Sequence, residues 1–216
     1  MNHEMIIDET KRFVRNWFRD AEGGHDWWHT FRVWRTARHI GEKEDANMLI
    51  VELGALLHDI ADSKFHEGDE SIGPRIAKDF LNTQGLSEET IREVVDIIIN
   101  ISFRKEDGES QKSPELKIVQ DADRLDAIGA IGVARAFNYG GHKGREIYNP
   151  ETKPKTSMSK EEYKKNNGPT INHFYDKLLR LKDMMNTRTG KSIAEHRHRF
   201  MEMFLNEFFK EWEGRL

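Results

Sequence analysis

Apolar residues recur along most of the chain at the three- and four-residue spacing that is typical of one face of an α-helix. No alternating apolar and polar run of useful length occurs, so the pattern does not predict β-strands. The sequence therefore predicts an all-α fold. The helices predicted from this spacing cover residues 6–18, 27–40, 46–60, 71–81, 88–101, 115–137, 171–185 and 193–212.

The segment from Met48 to Ile60 differs from the others because apolar residues occur nearly all round the helix. Such a pattern predicts a helix that is buried on all sides. The segment ends with His58 and Asp59, and burying an unpaired carboxylate beside an imidazole is costly in free energy. A divalent cation removes that cost, and the negative end of the helix dipole also favours a cation there. The pair therefore predicts a metal site that needs further ligands.

The segment 138–170 holds several glycines and prolines together with many lysines. A connection of this length exceeds the usual loop length, which indicates a functional or mobile segment. Arg145, Lys153 and Lys155 in this segment suit a lid over a polyphosphate tail, although a solvated loop fits the composition equally well. We therefore expect a long Gly- and Pro-containing lid loop.

Composition restricts the function classes further. The chain has 216 residues, 37% hydrophobic and 33% charged, with a formal net charge of −4 and no cysteine. The acidic balance does not favour nucleic acid or an anionic membrane as partner. The lack of cysteine excludes disulfides and thiolate metal sites and fits a reducing cytoplasm, which is the expected location. No apolar run approaches the roughly 20 residues that span a bilayer.

Two histidines, His25 and His29, lie upstream of the His-Asp pair, four positions apart. On one continuous helix both could face the same ion. Gly23 and Gly24 indicate, however, that the helix starts near Asp26, which is a suitable N-cap. His25 would then lie in the entry loop, so the residues favour His29 and leave His25 as the alternative.

Three aspartates, Asp121, Asp123 and Asp126, lie downstream of the pair among apolar residues. Positions 123 and 126 share one helix face, and position 121 lies about 200° round the helix from position 123. Taken alone, such a trio also fits an exposed acidic helix face. The apolar flanks and the two upstream motifs favour a site instead.

A histidine, then a His-Asp pair, then an aspartate on three separate helices resembles the HD-domain superfamily of metal-dependent phosphohydrolases. The stretches 25–33, 58–73 and 121–135 are similar to the small bacterial group that includes YpgQ and YedJ, and the similarity extends to 173–212. Together with the helix pattern, the resemblance predicts a single HD-domain helical bundle. The predicted domain covers residues 1–216. Its parts are a metal-binding core at about 20–137, the lid loop at 138–170 and C-terminal helices at 171–213.

The resemblance implies a particular ligand set, which consists of His29, His58, Asp59 and Asp123. Two imidazoles and two carboxylates, with positions left for water, suit manganese, iron, cobalt, nickel or magnesium. A closed structural zinc site would more often use cysteine. We expect a divalent ion and favour Mn²⁺ over Mg²⁺, Co²⁺, Ni²⁺ or Fe²⁺.

Other residues are candidates for catalysis and substrate binding. Asp62 resembles the acidic position at which some HD nucleotidases hold a catalytic carboxylate, and Lys64 in the same loop is a candidate phosphate contact. Both are predicted as catalytic residues, with a capping or solvated loop position as the alternative. The residues predicted to bind substrate, each also compatible with an ordinary surface position, are Arg32, Arg124, Asp126 and Lys177.

The resemblance implies hydrolysis of a small nucleotide. The expected reaction is pyrophosphohydrolysis of a nucleoside triphosphate, in particular a deoxynucleotide, to monophosphate and pyrophosphate. The alternatives are a nucleoside 5'-monophosphate phosphatase, a hydrolase of a cyclic or alarmone nucleotide and, from another class, a non-catalytic nucleotide or metal sensor. The expected partner is thus a small-molecule nucleotide, and the resemblance permits a homodimer.

Overall fold

The structure of the protein is a computed structural model, which describes residues 2–19, 26–60, 69, 71–101, 112–155, 162 and 166–215. Two compact units make up the chain, Met1–Asp123 and Arg124–Leu216. All regular structure among the described residues is helical, which confirms the predicted all-α fold. The expectation that 1–216 forms one domain stays a prediction.

The described residues of the first unit form five helices and most of a sixth. Their bounds are α1 (His3–Trp17), α2 (Trp27–Gly41), α3 (Met48–Leu57), α4 (Ile72–Thr83), α5 (Glu88–Asn100) and α6 (Pro114–Asp126). The predicted N-cap of α2 is confirmed, and α5 begins with a cap of the same kind. The Asp26 side chain accepts a hydrogen bond from the backbone N–H of His29 at 2.7 Å, and Ser87 accepts one from Thr90 at 3.2 Å. Each cap satisfies a backbone donor that the helix itself leaves unpaired.

Helix α3 is the centre of this unit, and it packs against α1, α2 and α5. Leu53, Leu56 and Leu57 are completely buried. Gly54 allows the close approach of α5, because a Cβ atom at this position would lie 2.9 Å from Cδ1 of Ile97. The prediction of a helix buried on all sides is therefore confirmed, and its C-terminal end carries the His-Asp pair on a rigid support.

The second unit contains α7 (Gly129–His142), α8 (Thr170–Asp176), a 3₁₀-helix (Leu178–Met184) and α9 (Arg188–Trp212). Helix α9 packs against α7 and the 3₁₀-helix, and α8 packs against the same two elements. Phe174 of α8 is completely buried, and its ring centroid lies 6.1 Å from that of Phe137 and 5.8 Å from that of Phe204. Phe174 therefore belongs to the core of the second unit, and the half-buried rings of Phe137 and Phe204 cover it.

Two helix predictions were wrong in their extent. The predicted helix 115–137 is broken between α6 and α7, because Gly129 has a φ of +76° that ends regular helical geometry. The predicted helix 171–185 is broken at Lys177, whose φ of −143° separates α8 from the 3₁₀-helix. Among the described residues, no helix is both long and apolar enough to cross a membrane.

The segment after α7 is shorter than predicted, because α7 continues to His142. Its described parts are attached to α8. The backbone N–H groups of Thr170 and Ile171 donate to the carbonyl oxygens of Glu146 and Ile147 at 2.9 and 3.0 Å. The Asn172 side chain donates to the carbonyl oxygen of Thr152 at 2.8 Å. The function of this segment as a lid stays a prediction.

Candidate metal centre

The first candidate ligand, His29, lies in the first turn of α2. The N-cap Asp26 holds the backbone of His29 directly, so the cap also fixes where the imidazole leaves the helix. Its side chain is buried. The alternative ligand, His25, lies outside the described residues.

His58 follows the last residue of α3 and occupies its C-cap. Its Nδ1–H donates to the carbonyl oxygen of Ala55, one turn earlier, at 2.8 Å. Because a carbonyl can only accept, this bond places the proton of the neutral ring on Nδ1 and leaves a lone pair on Nε2. The Nε2 atom is buried and has no hydrogen-bond partner among the described residues. A buried lone pair that is held in one direction is the usual arrangement of a metal-ligating histidine.

Two carboxylates converge on these imidazoles. The distance from Nε2 of His29 is 3.7 Å to Oδ2 of Asp59 and 3.4 Å to Oδ1 of Asp123. The same Asp123 oxygen lies 3.9 Å from Nε2 of His58. The ring centroids of His29 and His58 are 5.4 Å apart, at an angle of 68°. Four side chains from three separate parts of the first unit thus meet at one place.

These spacings fit one divalent ion. Ligand atoms of His29, His58 and Asp59 all lie within 4.8 Å of one another. Metal–ligand bonds of about 2.0–2.2 Å place adjacent ligands of one ion roughly 3 Å apart. Small rotations of the side chains would therefore complete a coordination sphere. Two neutral imidazoles and two carboxylates also offset the charge of a dication almost completely.

The four side chains differ in their exposure to solvent. The exposed fraction is 3% for His29, 2% for His58, 15% for Asp59 and 40% for Asp123. The imidazoles therefore form the closed side of the cluster, and Asp123 borders its open side. A centre that is open on one side leaves positions for water and substrate, as catalytic rather than structural sites require.

The residues predicted to act in catalysis or substrate binding do not belong to this cluster of four side chains. Asp62 and Lys64 lie outside the described residues. Arg32 is a half-buried residue of α2 in the first unit. Their predicted functions stay predictions.

Three predicted substrate residues belong to the second unit. Arg124 donates from Nη1 to the carbonyl oxygen of Met184 at 2.6 Å. Asp126 is buried and forms a very close ion pair with Arg135. Lys177 is exposed at the end of α8. The hydrogen bond to Met184 and the ion pair with Arg135 attach Arg124 and Asp126 to other residues of the second unit. The predicted contacts of all three residues with substrate stay predictions.

Sequence reasoning missed Glu52, an acid inside the apolar helix α3. Its buried carboxylate accepts a hydrogen bond from the Trp34 indole N–H at 2.7 Å and lies 3.1 Å from Nε2 of His3 and 3.6 Å from Nε of Arg38. It thereby connects α3 to α1 and α2. Burial of an unpaired carboxylate costs free energy, and this argument singled out Asp59 in the sequence. The same argument applies to Glu52 and could have identified it as well.

His173 of α8 has no neighbouring motif in the sequence. Burial, with smaller effects from the positive charges of Lys177 and Arg145, lowers the pKa of His173 to about 4. The main cause is burial, which the local sequence does not reveal.

Comparisons with known proteins identify the family. The model of the HD domain matches residues 27–128, a range that includes all four candidate ligands. YpgQ of Bacillus subtilis (strain 168) is 40% identical over 210 residues, which are 96% of this chain and 94% of that protein.

Solved structures of similar proteins cover nearly the whole chain. The crystal structure of an HD-superfamily hydrolase from Bacillus thuringiensis is 42% identical, with a TM-score of 0.80, and the match covers 98% of this chain and 99% of that one. The crystal structure of Bacillus subtilis YpgQ in complex with ADP is 38% identical, with a TM-score of 0.75, over 95% and 97% of the two chains.

Proposed function

This chain belongs to the HD-domain family and is a metal-dependent phosphohydrolase, and we propose that it cleaves nucleoside triphosphates to monophosphate and pyrophosphate. A deoxynucleotide is the proposed substrate. The observation that carries the proposal is the convergence of His29, His58, Asp59 and Asp123. Support for a nucleotide comes from the related YpgQ, whose structure was determined in complex with ADP.

We assign the metal to those four side chains. When bound, a divalent ion lowers the pKa of a coordinated water and offsets negative charge on a phosphoryl group. The protein holds the proposed ligand side chains in position before a metal binds. The Nδ1–H bond to Ala55 directs the lone pair of His58 into the cluster, and the N-cap Asp26 fixes the start of the helix that carries His29. Such fixed donors need no rearrangement when the reaction begins.

The proposed reaction is the attack of water on the α-phosphorus of the triphosphate. The bond from this phosphorus to the oxygen that bridges it to the β-phosphorus breaks, and pyrophosphate leaves. Asp62 is proposed to orient the water or to protonate the leaving group, and Lys64 and Arg32 to offset phosphate charge. The open side of the cluster, next to Asp123, is where substrate is proposed to approach.

Manganese is the proposed ion. Mn²⁺ accepts nitrogen and oxygen ligands together and tolerates several water ligands, and the cluster offers two imidazoles with two carboxylates. Metal analysis of the purified protein tests this choice against Mg²⁺, Co²⁺, Ni²⁺ and Fe²⁺. A homodimer and a cytoplasmic location remain predictions as well.

A panel of nucleotides, assayed with Mn²⁺, tests the proposed reaction. Separate detection of pyrophosphate and orthophosphate distinguishes the candidate activities. We expect equal amounts of pyrophosphate and monophosphate from deoxynucleoside triphosphates. Orthophosphate from monophosphates would instead identify a monophosphatase, and turnover of cyclic or alarmone nucleotides alone would identify the other alternative. Tight binding without turnover of any nucleotide would identify a sensor.

Matched variants connect the activity to the cluster. His29→Ala removes a proposed ligand, whereas His39→Ala removes an exposed histidine from the same helix. We expect pyrophosphate release to disappear in the first variant and to remain in the second.

A further inference from the structure

One asparagine–glycine pair occurs in the chain, at Asn167 and Gly168 in the segment before α8. Asparagine is among the chemically labile side chains of proteins. At such a pair the backbone nitrogen of the second residue can attack the carboxamide carbon of the first, and glycine has no Cβ atom to hinder the approach. Asn167 is exposed to solvent, so the water that completes the reaction reaches it.

The reaction open to this pair is a deamidation in two steps. The Gly168 nitrogen loses its proton and forms a bond to Cγ of Asn167, and the bond from Cγ to Nδ2 breaks. Nδ2 takes up that proton and leaves as ammonia, so that a five-membered succinimide ring remains. Water then opens the ring at one of its two carbonyl carbons, which leaves an aspartate or an isoaspartate at position 167.

The structure shows how the proton on the attacking nitrogen is held. The backbone N–H of Gly168 donates to Oδ1 of Asn166 at 3.1 Å. The nitrogen attacks only after it has lost this proton, and a hydrogen bond made by the neutral N–H stabilises the form that does not attack. The side chain of Asn166 therefore opposes the first step of the reaction.

Asn166 is itself held by two further contacts. Its Nδ2 donates to Oδ2 of Asp176 at 3.1 Å, and its backbone carbonyl oxygen accepts from Nη2 of Arg145 at 2.7 Å. An ionised carboxylate only accepts hydrogen bonds and a backbone N–H only donates them, so the Asn166 carboxamide satisfies both partners in one orientation alone. The acceptor for Gly168 therefore does not depend on a side chain that rotates freely.

Arg145 also contacts the reacting side chain. Its Nε donates to Oδ1 of Asn167 at 3.4 Å, and this partner is neutral as long as the amide is intact. After deamidation to aspartate, the guanidinium lies beside a carboxylate, which is a stronger, charge-assisted partner. The reaction therefore adds a negative charge to the segment and converts an amide contact into an ion pair.

We propose that Asn167 is a site of spontaneous deamidation and that Asn166 sets its rate by holding the N–H of Gly168. Water is the only co-reactant and ammonia the only other product, so the modified form accumulates with the age of the folded chain. Asn166 acts through Gly168 and is a positioning residue. All the groups named belong to the second unit, so the reaction does not use the side chains of the proposed metal centre.

Mass spectrometry of proteolytic peptides, after incubation of the full chain at slightly alkaline pH, measures the modified fraction over time. We expect Asn166→Ala to deamidate about two- to tenfold faster than the wild type, which is the rate equivalent of one hydrogen bond. Asn149→Ala is the matched control. It removes an asparagine of the same segment whose side-chain hydrogen bonds go to Glu146 and Glu151, and it should react like the wild type.

Unfolded chains provide the second comparison. In guanidinium chloride, wild type and Asn166→Ala should react equally fast, and both faster than the folded wild type, because the hydrogen bond exists only in the folded chain. Asn167→Ser lacks the carboxamide and should lose the mass gain in this peptide.

Each part of the proposal can fail separately. Equal rates in folded wild type and Asn166→Ala, or an equally large increase in Asn149→Ala, would overturn the role of Asn166. Absence of modified peptide in the unfolded wild type, or a mass gain that persists in Asn167→Ser, would overturn the assignment of the site.

Discussion

Nε2 of His29 lies 3.4 Å from Oδ1 of Asp123, although one residue belongs to α2 and the other to α6. Neither residue is a sequence neighbour of His58 and Asp59, which follow α3. The cluster therefore exists only when α2, α3 and α6 are packed correctly. Its chemistry depends on the tertiary structure of the first unit and on no single local motif.

Loss of either distant ligand should remove the activity. We expect His29→Ala and Asp123→Ala each to lower kcat/KM with Mn²⁺ by more than about 100-fold, because even loss of a residue that only orients a ligand costs about 10–100-fold. Steady-state assays of triphosphate hydrolysis measure the effect. Asp96→Ala, which removes an exposed acid of α5, is the matched control. Wild-type activity in Asp123→Ala would show that the ligand set was assigned incorrectly.

Metal binding should stabilise the folded protein. A ligand at 100 times its Kd adds about 2.7 kcal/mol to the free energy of unfolding. For a chain of this size, each kcal/mol corresponds to roughly 2–4 °C, so Mn²⁺ should raise Tm by roughly 5–10 °C. Differential scanning calorimetry measures the shift. His58→Ala should lose most of it, and an equal shift in this variant would contradict the proposed metal centre.

The buried carboxylate of Glu52 should be important for stability. Glu52→Leu leaves the Trp34 indole N–H and the charge of Arg38 without this partner, so we expect a loss of about 2–4 kcal/mol. Glu42→Ala removes an exposed acid that lies 3.3 Å from Arg38 and should cost no more than about 0.5 kcal/mol. Urea denaturation compares the two variants. Similar losses would mean that the contact between α3 and Trp34 contributes little.

Gly129 should tolerate no side chain. Its φ is +76°, and a Cβ atom would lie 2.9 Å from Cγ of Arg197 and 3.0 Å from its Cβ. We expect Gly129→Ala to destabilise the protein by about 2–3 kcal/mol, through backbone strain and this contact. Gly144→Ala isolates the strain, because φ is +63° there and no atom of the described residues lies within 4 Å of the added atom. Its cost should be about 1 kcal/mol, and thermal denaturation measures both.

His173 should make stability depend on pH. Its folded-state pKa of about 4 lies below the usual 6.5, so between these values the unfolded chain binds a proton that the folded chain does not. Stability therefore falls as the pH is lowered from 6.5 to 4, by roughly 3 kcal/mol at most from this residue. Denaturation in phosphate-free buffers measures the effect, and His173→Gln should show a smaller decrease.

Other groups contribute to the same pH range, so the comparison between wild type and variant is the relevant quantity. Asp176 has a pKa that burial raises, which gives a contribution of the opposite sign. It is present in both proteins and largely cancels. Identical pH profiles would show that His173 is protonated equally in the folded and unfolded states.

The helices that could be predicted are those with a strong local signal. The uninterrupted apolar run of α3 and the caps Asp26 and Ser87 depend on residues within a few positions of one another. The candidate metal cluster could be located for a different reason. A His-Asp pair at the end of a buried helix is too costly without a cation, and the resemblance to the HD-domain superfamily supplied the partners.

The features that were missed depend on contacts between distant parts of the chain. An isolated Gly129 is tolerated inside many helical patterns, and only the Arg197 side chain packed against it shows why the backbone turns there. The pKa of His173 is lowered mainly by burial, with smaller effects from Lys177, four positions along the chain, and from the distant Arg145. The spacing of apolar residues along the sequence does not reveal contacts between distant residues.

The position of His58 and Asp59 at the end of α3 restricts how this enzyme could be changed. Helix α3 packs against α1, α2 and α5, and a Cβ atom added at Gly54 would lie only 2.9 Å from Cδ1 of Ile97. The backbone positions of His58 and Asp59, two of the proposed ligands, are therefore set by the interior of the first unit. An engineer who wants a different metal preference should exchange the donor atoms themselves, because substitutions on the outer surface would leave the size of the coordination sphere unchanged.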